Sequence, residues 1–325
     1  MTKRAVIAGI NNYSVVDPSG QSNLGACARD AHSMYHLLVE AFGFDPNQTW
    51  IYTDLQASRD NILSALRYAI TASQPGDVVC FYYSGHGARR PASAGRADCE
   101  KFYEMIVPAS GAAISDQTLF RLAQDLPQSV VNFTAILDAC HSGGMDQATD
   151  AGSKCRNLVL RGIEQADLFQ REVRYMRTLV PCGIGIPREA TVCDNNVSGV
   201  SVGANHINLR EDPNKQFIDL AKMSLISACR ANELSWETTS TGHGLMTQAF
   251  LDVVNQSNPS LSYGDMLDRV GARVADSFNR LILPGNQAYN QAHPQTPKPV
   301  SQVPQLRGQR NRMSEGFLQA WTQSK

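Results

Sequence analysis

The sequence has no excess of charge of either sign and no hydrophobic run long enough to cross a bilayer. Its 325 residues include 29 Lys or Arg and 30 Asp or Glu, so the formal net charge is −1. No overall basic field is available to hold nucleic acid or an anionic membrane. Apolar stretches fall short of the roughly 20 residues of a spanning helix, and the N-terminal one is too short for a secretory signal. We therefore expect a soluble cytoplasmic protein that binds neither nucleic acid nor membrane.

Paired cysteines are also missing. None of the eight cysteines belongs to a CxxC pair or to a Cys/His cluster with zinc-ligand spacing. This pattern excludes a disulfide scaffold, and most of the cysteines are expected to be small buried residues in a reducing compartment. They are Cys27, Cys80, Cys99, Cys140, Cys155, Cys182, Cys193 and Cys229. Two of them, Cys27 and Cys140, have a different predicted role, given below.

Short apolar runs alternate with helical patterns along the chain, and apolar residues make up 42% of it. This order is typical of an α/β fold with a largely parallel sheet that helices cover on both faces. Strands are predicted at 5–10, 49–55, 77–83, 129–139 and 222–229, and helices at 26–42, after Ser58 or Asp60, and at 116–125, 243–255 and 262–282. Residues 146–215 have no sustained period and indicate a functional loop or linker. The Pro- and Asn-rich stretch 284–310 is predicted to be extended loop, and 317–321 a last strand or a docked turn.

Polar clusters follow two of the predicted strands. They read YSGHG at 83–87 and LDACHSGG at 137–144. In open parallel sheets, ligands bind beyond the carboxyl ends of the strands, so we expect His86 and Cys140 to face one crevice. An imidazole beside a thiol can take up its proton and create the nucleophilic thiolate. His141 is a rival base, but neighbouring side chains diverge.

These two clusters resemble the His and Cys motifs of caspase-like cysteine peptidases, most closely metacaspases and bacterial orthocaspases. LGACARDA at 24–31, SLISACRANELSWE at 224–237, HGLMTQAF at 243–250 and PQLRG at 304–308 are also similar to segments of that family. The resemblance implies one peptidase domain with the caspase–haemoglobinase fold and a six-stranded sheet. It further implies a large part at 1–145, a processing linker at 146–215 and a small part at 216–325.

The resemblance also assigns roles to individual residues. His86 is the expected base and Cys140 the nucleophile of a thioester mechanism, with the backbone N–H groups of Gly87 and Cys140 as oxyanion donors. The S1 pocket, which holds the substrate side chain before the cut bond, matches Cys27, Asp30, Ser84 and Asp138. Two converging carboxylates suit a guanidinium and repel an acidic side chain. We therefore expect protein substrates cut after Arg, less well after Lys, and not after Asp.

The sequence is compatible with more than one way of controlling the activity. Basic residues that such a pocket could accept occur throughout the linker: Lys154, Arg156, Arg161, Arg171, Arg174, Arg177, Arg188 and Arg210. The linker could be cut by the protein itself or by an upstream protease, for instance in bacterial defence or regulated cell death. A caspase-like module that only binds partners is the alternative of another class. The resemblance to metacaspases implies a monomer rather than the dimer of the true caspases.

Calcium is the cofactor that the resemblance brings into question. Many metacaspases bind it through several Asp residues, of which Asp116 matches one, while Ser115 stands where a second Asp is common. Other acidic residues in plausible regions are Asp98, Glu100, Glu104 and Asp146. Calcium takes six to eight oxygen ligands. One matching Asp does not supply such a set, so we expect that no cofactor is required; a calcium site that includes Asp116 is the alternative.

Overall fold

The structure is a computed structural model, and its description covers thirteen stretches of the chain. These are residues 1–91, 102–124, 126, 132–140, 153–155, 199–203, 206–209, 223–230, 233–238, 240–256, 260–295, 297–307 and 310–320. The strands are β1 (Lys3–Gly9), β2 (Thr49–Thr53), β3 (Val78–Ser84), β4 (Gly87–Pro91), β5 (Phe102–Ile106), β6 (Ile114–Ser115), β7 (Asn132–Asp138), β8 (Ser153–Cys155), β9 (Gly199–Gly203), β10 (His206–Leu209), β11 (Met223–Ser227), β12 (Trp236–Thr238), β13 (His243–Gly244) and β14 (Gln305–Arg307). The α-helices are α1 (Cys27–His36), α2 (Arg59–Thr71), α3 (Asp116–Gln124), α4 (Leu245–Gln256), α5 (Tyr263–Leu281) and α6 (Leu283–Ala292).

The central sheet has the strand order β10-β9-β14-β11-β7-β3-β1-β2. The pairings from β2 through β1, β3 and β7 to β11 are all parallel, whereas β14 lies antiparallel to β11. The six strands from β2 to β14 form the predicted mostly parallel α/β sheet, which is thereby confirmed. The hairpin of β9 and β10 extends this sheet at the β14 edge.

Two smaller sheets flank the carboxyl ends of the central strands. One has the order β4-β5-β6 and the other β13-β12-β8. In the second, Ser153–Cys155 from the predicted linker runs antiparallel to Trp236–Thr238. The predicted linker 146–215 therefore contributes a strand to this small sheet, as it contributes β9 and β10 to the central sheet.

Helices cover both faces of the central sheet, as the apolar strands predict. Along β3, Val79 and Phe81 pack with α2 and α3, whereas Cys80 and Tyr82 pack with α1, α4 and α5. This alternation follows from the two-residue period of a strand. Because all seven residues of β3 and of β7 are buried, their apolar sequences are explained by burial on both faces.

The prediction of an extended loop over 284–310 is wrong in two places, because Leu283–Ala292 forms α6 and Gln305–Arg307 forms β14 of the central sheet. Pro284 lies in the first turn of this helix, where proline is tolerated because its missing N–H has no intrahelical partner. Side-chain amides fasten the helix to the extended chain after it: Asn286 donates to the carbonyl of Pro299, and Asn290 to that of Lys298. These polar contacts give no apolar period, which is why the sequence pattern missed the helix.

The chain beyond β14 docks as a turn, one of the two predicted alternatives. Phe317 is buried there against the rings of Phe42, Phe250 and Tyr263. Within the stretches that the structure describes, no helix is both long and apolar enough to cross a membrane.

Candidate active site

The two polar clusters lie at the same edge of the central sheet, as predicted. Strands β3 and β7 are neighbours, and the last residue of β3, Ser84, is in register with the last residue of β7, Asp138. His86 and Cys140 each follow two residues later. The backbone continues this contact beyond the strands, because the N–H of Gly85 donates to the carbonyl of Asp138 at 3.3 Å.

Gly87 brings the histidine motif into direct contact with the cysteine. A Cβ atom at this position would lie only 1.6 Å from the carbonyl oxygen of Cys140 and 2.8 Å from its carbonyl carbon. No side chain fits in that space, so the close approach of the two backbones requires glycine. The second glycine of the YSGHG motif is therefore required for steric reasons, whatever its φ angle.

Three groups hold His86 in place. Its Nε2 lies 2.6 Å from the carbonyl oxygen of Ser22, and its backbone N–H donates to the hydroxyl of Tyr13 at 2.7 Å. The Tyr13 ring also packs on the imidazole, with the ring centroids 4.5 Å apart. A carbonyl oxygen only accepts, so this contact assigns the proton of the neutral ring to Nε2 and leaves Nδ1 as the proton acceptor.

Cys140 is completely buried, and the structure places a backbone donor on its sulfur. The N–H of Ser235 lies 2.9 Å from Sγ, and Sγ lies 3.4 Å from the carbonyl oxygen of the same residue. A donor directed at sulfur stabilises the thiolate. By contrast, burial in the apolar core raises the pKa of the Cys80 thiol and keeps it protonated.

Asp30 and Ser84, two predicted S1 residues, are in direct contact. The Ser84 hydroxyl donates to Oδ2 of Asp30 at 2.8 Å, and both residues are fully buried. Asp30 also accepts a hydrogen bond at Oδ1 from His243 Nδ1 at 2.8 Å, and the N–H of Gly244 lies 3.2 Å from the same oxygen. The carboxylate is thus held by the sheet on one side and by β13 on the other.

Asp138, the second predicted pocket carboxylate, is held by the small part of the chain. Its Oδ1 accepts from the Ser235 hydroxyl at 2.9 Å. Its Oδ2 accepts from both the hydroxyl and the N–H of Thr247, at 2.6 and 3.1 Å. Thr247 lies in the first turn of α4, where unpaired N–H groups stabilise an anion. The structure therefore gathers Asp30, Ser84 and Asp138 around the start of α4.

Cys27 reaches the same region because it lies one helical turn before Asp30 on α1. Its thiol contacts Oε2 of Glu237 at 3.7 Å. Glu237 is itself buried, and its carboxylate accepts hydrogen bonds from the N–H groups of Gly25 and Ala26 at the start of α1. A third carboxylate thus lies beside the predicted pocket.

The partners of these residues were not predicted from the sequence. Ser22, Tyr13, His243 and Thr247 lie far from the two catalytic motifs in the chain, and their roles depend on which backbone segments the fold brings together. Ser235 and Glu237 stand in a segment that resembles the family, but their individual roles were not predicted. The one sequence signal for His243 and Thr247 is that they are polar residues in the otherwise apolar segment HGLMT.

Several predicted residues fall outside the description. Asp116 begins α3, but its side chain and that of Glu104 are not described, nor is the side chain of Lys154 in β8. Asp98, Glu100, His141, Asp146 and the other basic linker residues also lie outside. Ser115, by contrast, is buried and its hydroxyl contacts that of Thr118 at 3.2 Å. In the described part of the chain, no group of three or more His, Cys, Asp or Glu residues is arranged to hold a metal ion.

Comparisons with known proteins identify the family of this chain. The family model described as Caspase domain matches residues 2–312. Metacaspase-7 of Arabidopsis thaliana is 30% identical over 234 residues, which are 68% of this chain and 56% of that protein. Metacaspase-1 of Schizosaccharomyces pombe is 27% identical over 300 residues, or 86% of this chain and 66% of that protein. The chain thus spans between about half and two thirds of the length of these relatives.

Solved structures show the same fold. The crystal structure of protein GSU0716 from Geobacter sulfurreducens superposes with a TM-score of 0.62 at 17% identity, and the match covers 99% of this chain and 100% of that one. At this identity the likeness concerns the fold alone. The family match over almost the whole length shows that this chain belongs to the caspase-domain family of cysteine peptidases, with metacaspases among its relatives.

Proposed function

We propose that the protein is a cysteine endopeptidase that cleaves protein substrates after Arg, and less well after Lys. The observation that carries this proposal is the pair of fully buried carboxylates, Asp30 and Asp138, beside Ser84 at the strand ends that lead to His86 and Cys140. Two carboxylates held in one region beside the crevice attract a cationic ligand and repel an anionic one. A guanidinium offers several N–H donors in a plane that matches carboxylate oxygens.

The proposed reaction uses the two side chains and needs no cofactor. His86 Nδ1 takes the proton of the Cys140 thiol, and the thiolate attacks the carbonyl carbon of the substrate. The backbone N–H groups of Gly87 and Cys140 stabilise the oxyanion that forms. His86 then returns the proton to the leaving amine, and the C–N bond breaks to give a thioester. Water, deprotonated by His86, hydrolyses the thioester and releases the thiol.

The position of Ser22 supports His86 as this base. Its carbonyl oxygen holds Nε2–H, so the neutral ring presents Nδ1 as acceptor, and the same carbonyl stabilises the imidazolium once the proton has moved. Ser235 supports the nucleophile in a corresponding way, because its N–H stabilises the thiolate at 2.9 Å.

We further propose that the linker 146–215 controls access to this site. Strand β8, within the linker, pairs with β12, and β12 directly follows Ser235, which contacts the Cys140 sulfur. An extended substrate could pair with the same edge of β12, because peptidic ligands commonly add a strand to a sheet edge. Cutting the chain near β8 would release that edge. Arg156 is the first basic residue after β8 and is therefore our first candidate for the cut, by the protein itself or by an upstream protease.

The test is hydrolysis of matched fluorogenic peptides that end in Arg, Lys or Asp, with the mass of the enzyme followed in the same tube. We expect turnover in the order Arg, then Lys, with none for Asp, together with a linker cut. Cys140→Ala should abolish both turnover and the cut. Cys80→Ala is the matched control, because it removes another buried thiol from the strand beside β7 and should leave turnover intact.

Each alternative has its own outcome in this experiment. An intact chain without turnover that becomes active after one linker cut by added trypsin identifies an upstream protease as the activator. Turnover of the Asp peptide contradicts the acidic pocket. Parallel assays with calcium and with EDTA test Asp116 as a ligand, and we expect the same rates in both.

A further inference from the structure

We propose that Gln302 is a positioning residue that fixes the backbone of Ser235 against the sulfur of Cys140. This inference rests on the proposed function, since it assumes that Cys140 is the nucleophile. Gln302 lies in the extended chain before β14 and is only 1% exposed. Because an amide is neither a nucleophile nor a base at neutral pH, its role follows from the groups that it contacts.

Both ends of the Gln302 amide are hydrogen-bonded. Oε1 accepts from the N–H of Trp236 at 3.2 Å. Nε2 donates to the carbonyl of Ala228 at 3.2 Å and to the hydroxyl of Ser235 at 3.4 Å. A backbone N–H only donates and a carbonyl only accepts, so these partners settle which end of the amide carries oxygen. A buried amide costs free energy unless it is paired, and this one pairs with the segment that contacts the nucleophile.

The contact with Trp236 acts on the two backbone groups that touch the sulfur. A peptide unit is planar, so holding the N–H of Trp236 also orients the carbonyl of Ser235, which lies 3.4 Å from Sγ of Cys140. The N–H of Ser235, one α-carbon away, lies 2.9 Å from the same sulfur. Gln302 thus restrains the donor that stabilises the thiolate without touching the thiol itself.

A second path leads from Gln302 to the S1 pocket. The Ser235 hydroxyl donates to Oδ1 of Asp138 at 2.9 Å and accepts from Nε2 of Gln302. Successive hydrogen bonds of this kind polarise one another in a buried site. The two paths can be separated, because removal of the hydroxyl breaks the path to Asp138 and leaves the backbone N–H of Ser235 on the sulfur.

Glu233 fastens the segment that carries Gln302. Its carboxylate, which is buried, accepts from the hydroxyl of Ser301 at 2.5 Å and from the N–H of Val303 at 2.8 Å. It also accepts from the N–H of Arg230 at 3.0 Å, so it ties this segment to the loop before Ser235. The residues on both sides of Gln302 are therefore fixed, and its amide has a rigid support.

The experiment compares kcat and KM for an Arg-ended peptide in the wild type, Q302M, S235A and Q305M, each with the linker cut. Methionine is similar to glutamine in length but has no amide donor or acceptor. Gln305 is a second buried glutamine of the same segment, and its Nε2 donates to the carbonyls of Val303 and Pro304. Because these contacts stay within the segment, Q305M is the matched control.

We expect kcat of Q302M to fall about tenfold, less than the roughly 100-fold cost of a 1 Å misplacement. The kcat values of S235A and Q305M should stay within about threefold of the wild type. KM should rise about two- to threefold in both Q302M and S235A, the effect of one weak hydrogen bond, since both lose the path to Asp138. This split between kcat and KM would not arise from a general loss of stability.

A Q302M enzyme with a kcat within threefold of the wild type overturns this inference and leaves the proposed function standing. The same holds if S235A loses as much kcat as Q302M, because the hydroxyl and not the backbone would then be the group that matters. Absence of Arg turnover in the wild type overturns both. Thermal unfolding of each variant shows that it is folded. Q302N, whose amide is one methylene shorter, is the milder variant and should show the same loss of kcat to a smaller degree.

Discussion

At the residue scale, Gly87 is the position where one added methyl group has the largest expected effect. Its α-carbon faces the carbonyl of Cys140 so closely that a Cβ would overlap the oxygen at 1.6 Å. This oxygen belongs to the backbone and cannot rotate away like the end of a flexible side chain. Any substitution must therefore separate β4 from the turn that carries Cys140, the proposed nucleophile.

Gly87→Ala should lower kcat at least about 100-fold, because a displacement of about 1 Å between reacting groups costs that much. The expected loss concerns kcat more than KM, since the atoms nearest to the added Cβ all belong to Cys140 and not to a predicted S1 residue. Gly264→Ala is the control: it also adds a methyl group at a buried glycine, but its nearest contact is 3.2 Å. Steady-state kinetics and thermal unfolding of both variants check the prediction, and a Gly87→Ala enzyme within tenfold of the wild type contradicts it.

That His86 and Cys140 lie close together was predictable from the sequence, because they follow strands whose ends coincide. Parallel strands β3 and β7 pair in register, so motifs at the same offset after each strand meet. Their partners were not predictable in this way. Ser22 contributes a carbonyl group that every residue has, and His243 lies 213 residues from Asp30. Such contacts depend on the tertiary fold and leave no local pattern.

At the element scale, the loop before α1 acts as the support of His86. Asp17 lies at its centre and accepts hydrogen bonds from the N–H and hydroxyl groups of both Ser19 and Ser22. These bonds, first those of the Ser19 and Ser22 hydroxyls, lower the pKa of Asp17 to about 2. Ser22, whose carbonyl holds the imidazole, is thus anchored by a carboxylate that stays ionised in neutral solution.

Asp17→Asn should lower kcat about three- to tenfold, because an amide has one acceptor oxygen where the carboxylate has two, and the Ser22 carbonyl then loses its fixed position. In the wild type the pKa of Asp17 is lower in the folded than in the unfolded state. Its contribution to stability is therefore complete above about pH 4 and is lost only as the pH falls through about 2. Between pH 5 and 8 the wild-type profile should show no step from this group.

Asp45→Asn provides the comparison for Asp17→Asn. Asp45 also caps a short turn, through the N–H of Asn47, but it precedes β2 at the amino ends of the parallel strands, away from His86. The kcat of the Asp45→Asn enzyme should equal that of the wild type. Equal losses in both variants would mean that the loop before α1 has only a general structural role.

Elements with a strong apolar period were predicted well, and those fastened by polar contacts were not. The predicted helix at 262–282 corresponds to α5 (Tyr263–Leu281), whose apolar face packs into the core. Helix α6 was missed because side-chain amides hold it, and β4, β5 and β6 were missed because short strands in small sheets have little apolar alternation.

At the scale of the whole molecule, the two parts on either side of the linker share one sheet and the apolar clusters on both of its faces. Strand β11 of the small part lies beside β7 of the large part, in the middle of the sheet. The pocket carboxylates also bridge the parts, because Asp30 binds His243 and Asp138 binds Thr247. A further contact joins residues near the two ends of the sequence, because Nζ of Lys3 donates a hydrogen bond to Oε1 of Gln319 at 3.1 Å. The two parts are therefore held together by strand pairing and side-chain contacts as well as by the linker.

We accordingly expect that a chain cut once in the linker stays assembled. After limited trypsin treatment of the Cys140→Ala protein, denaturing gels should show two fragments, whereas light scattering after gel filtration should give the mass of the uncut chain. High salt should not separate them, because strand pairing and apolar packing are little affected by ionic screening. Only denaturant concentrations that also unfold the protein should do so. Fragments that separate in native buffer would contradict this view. A cut in the linker would then dismantle the site, because Ser235 and Thr247 leave with the small part. The sulfur of Cys140 and the carboxylate of Asp138 would lose these two hydrogen-bond donors.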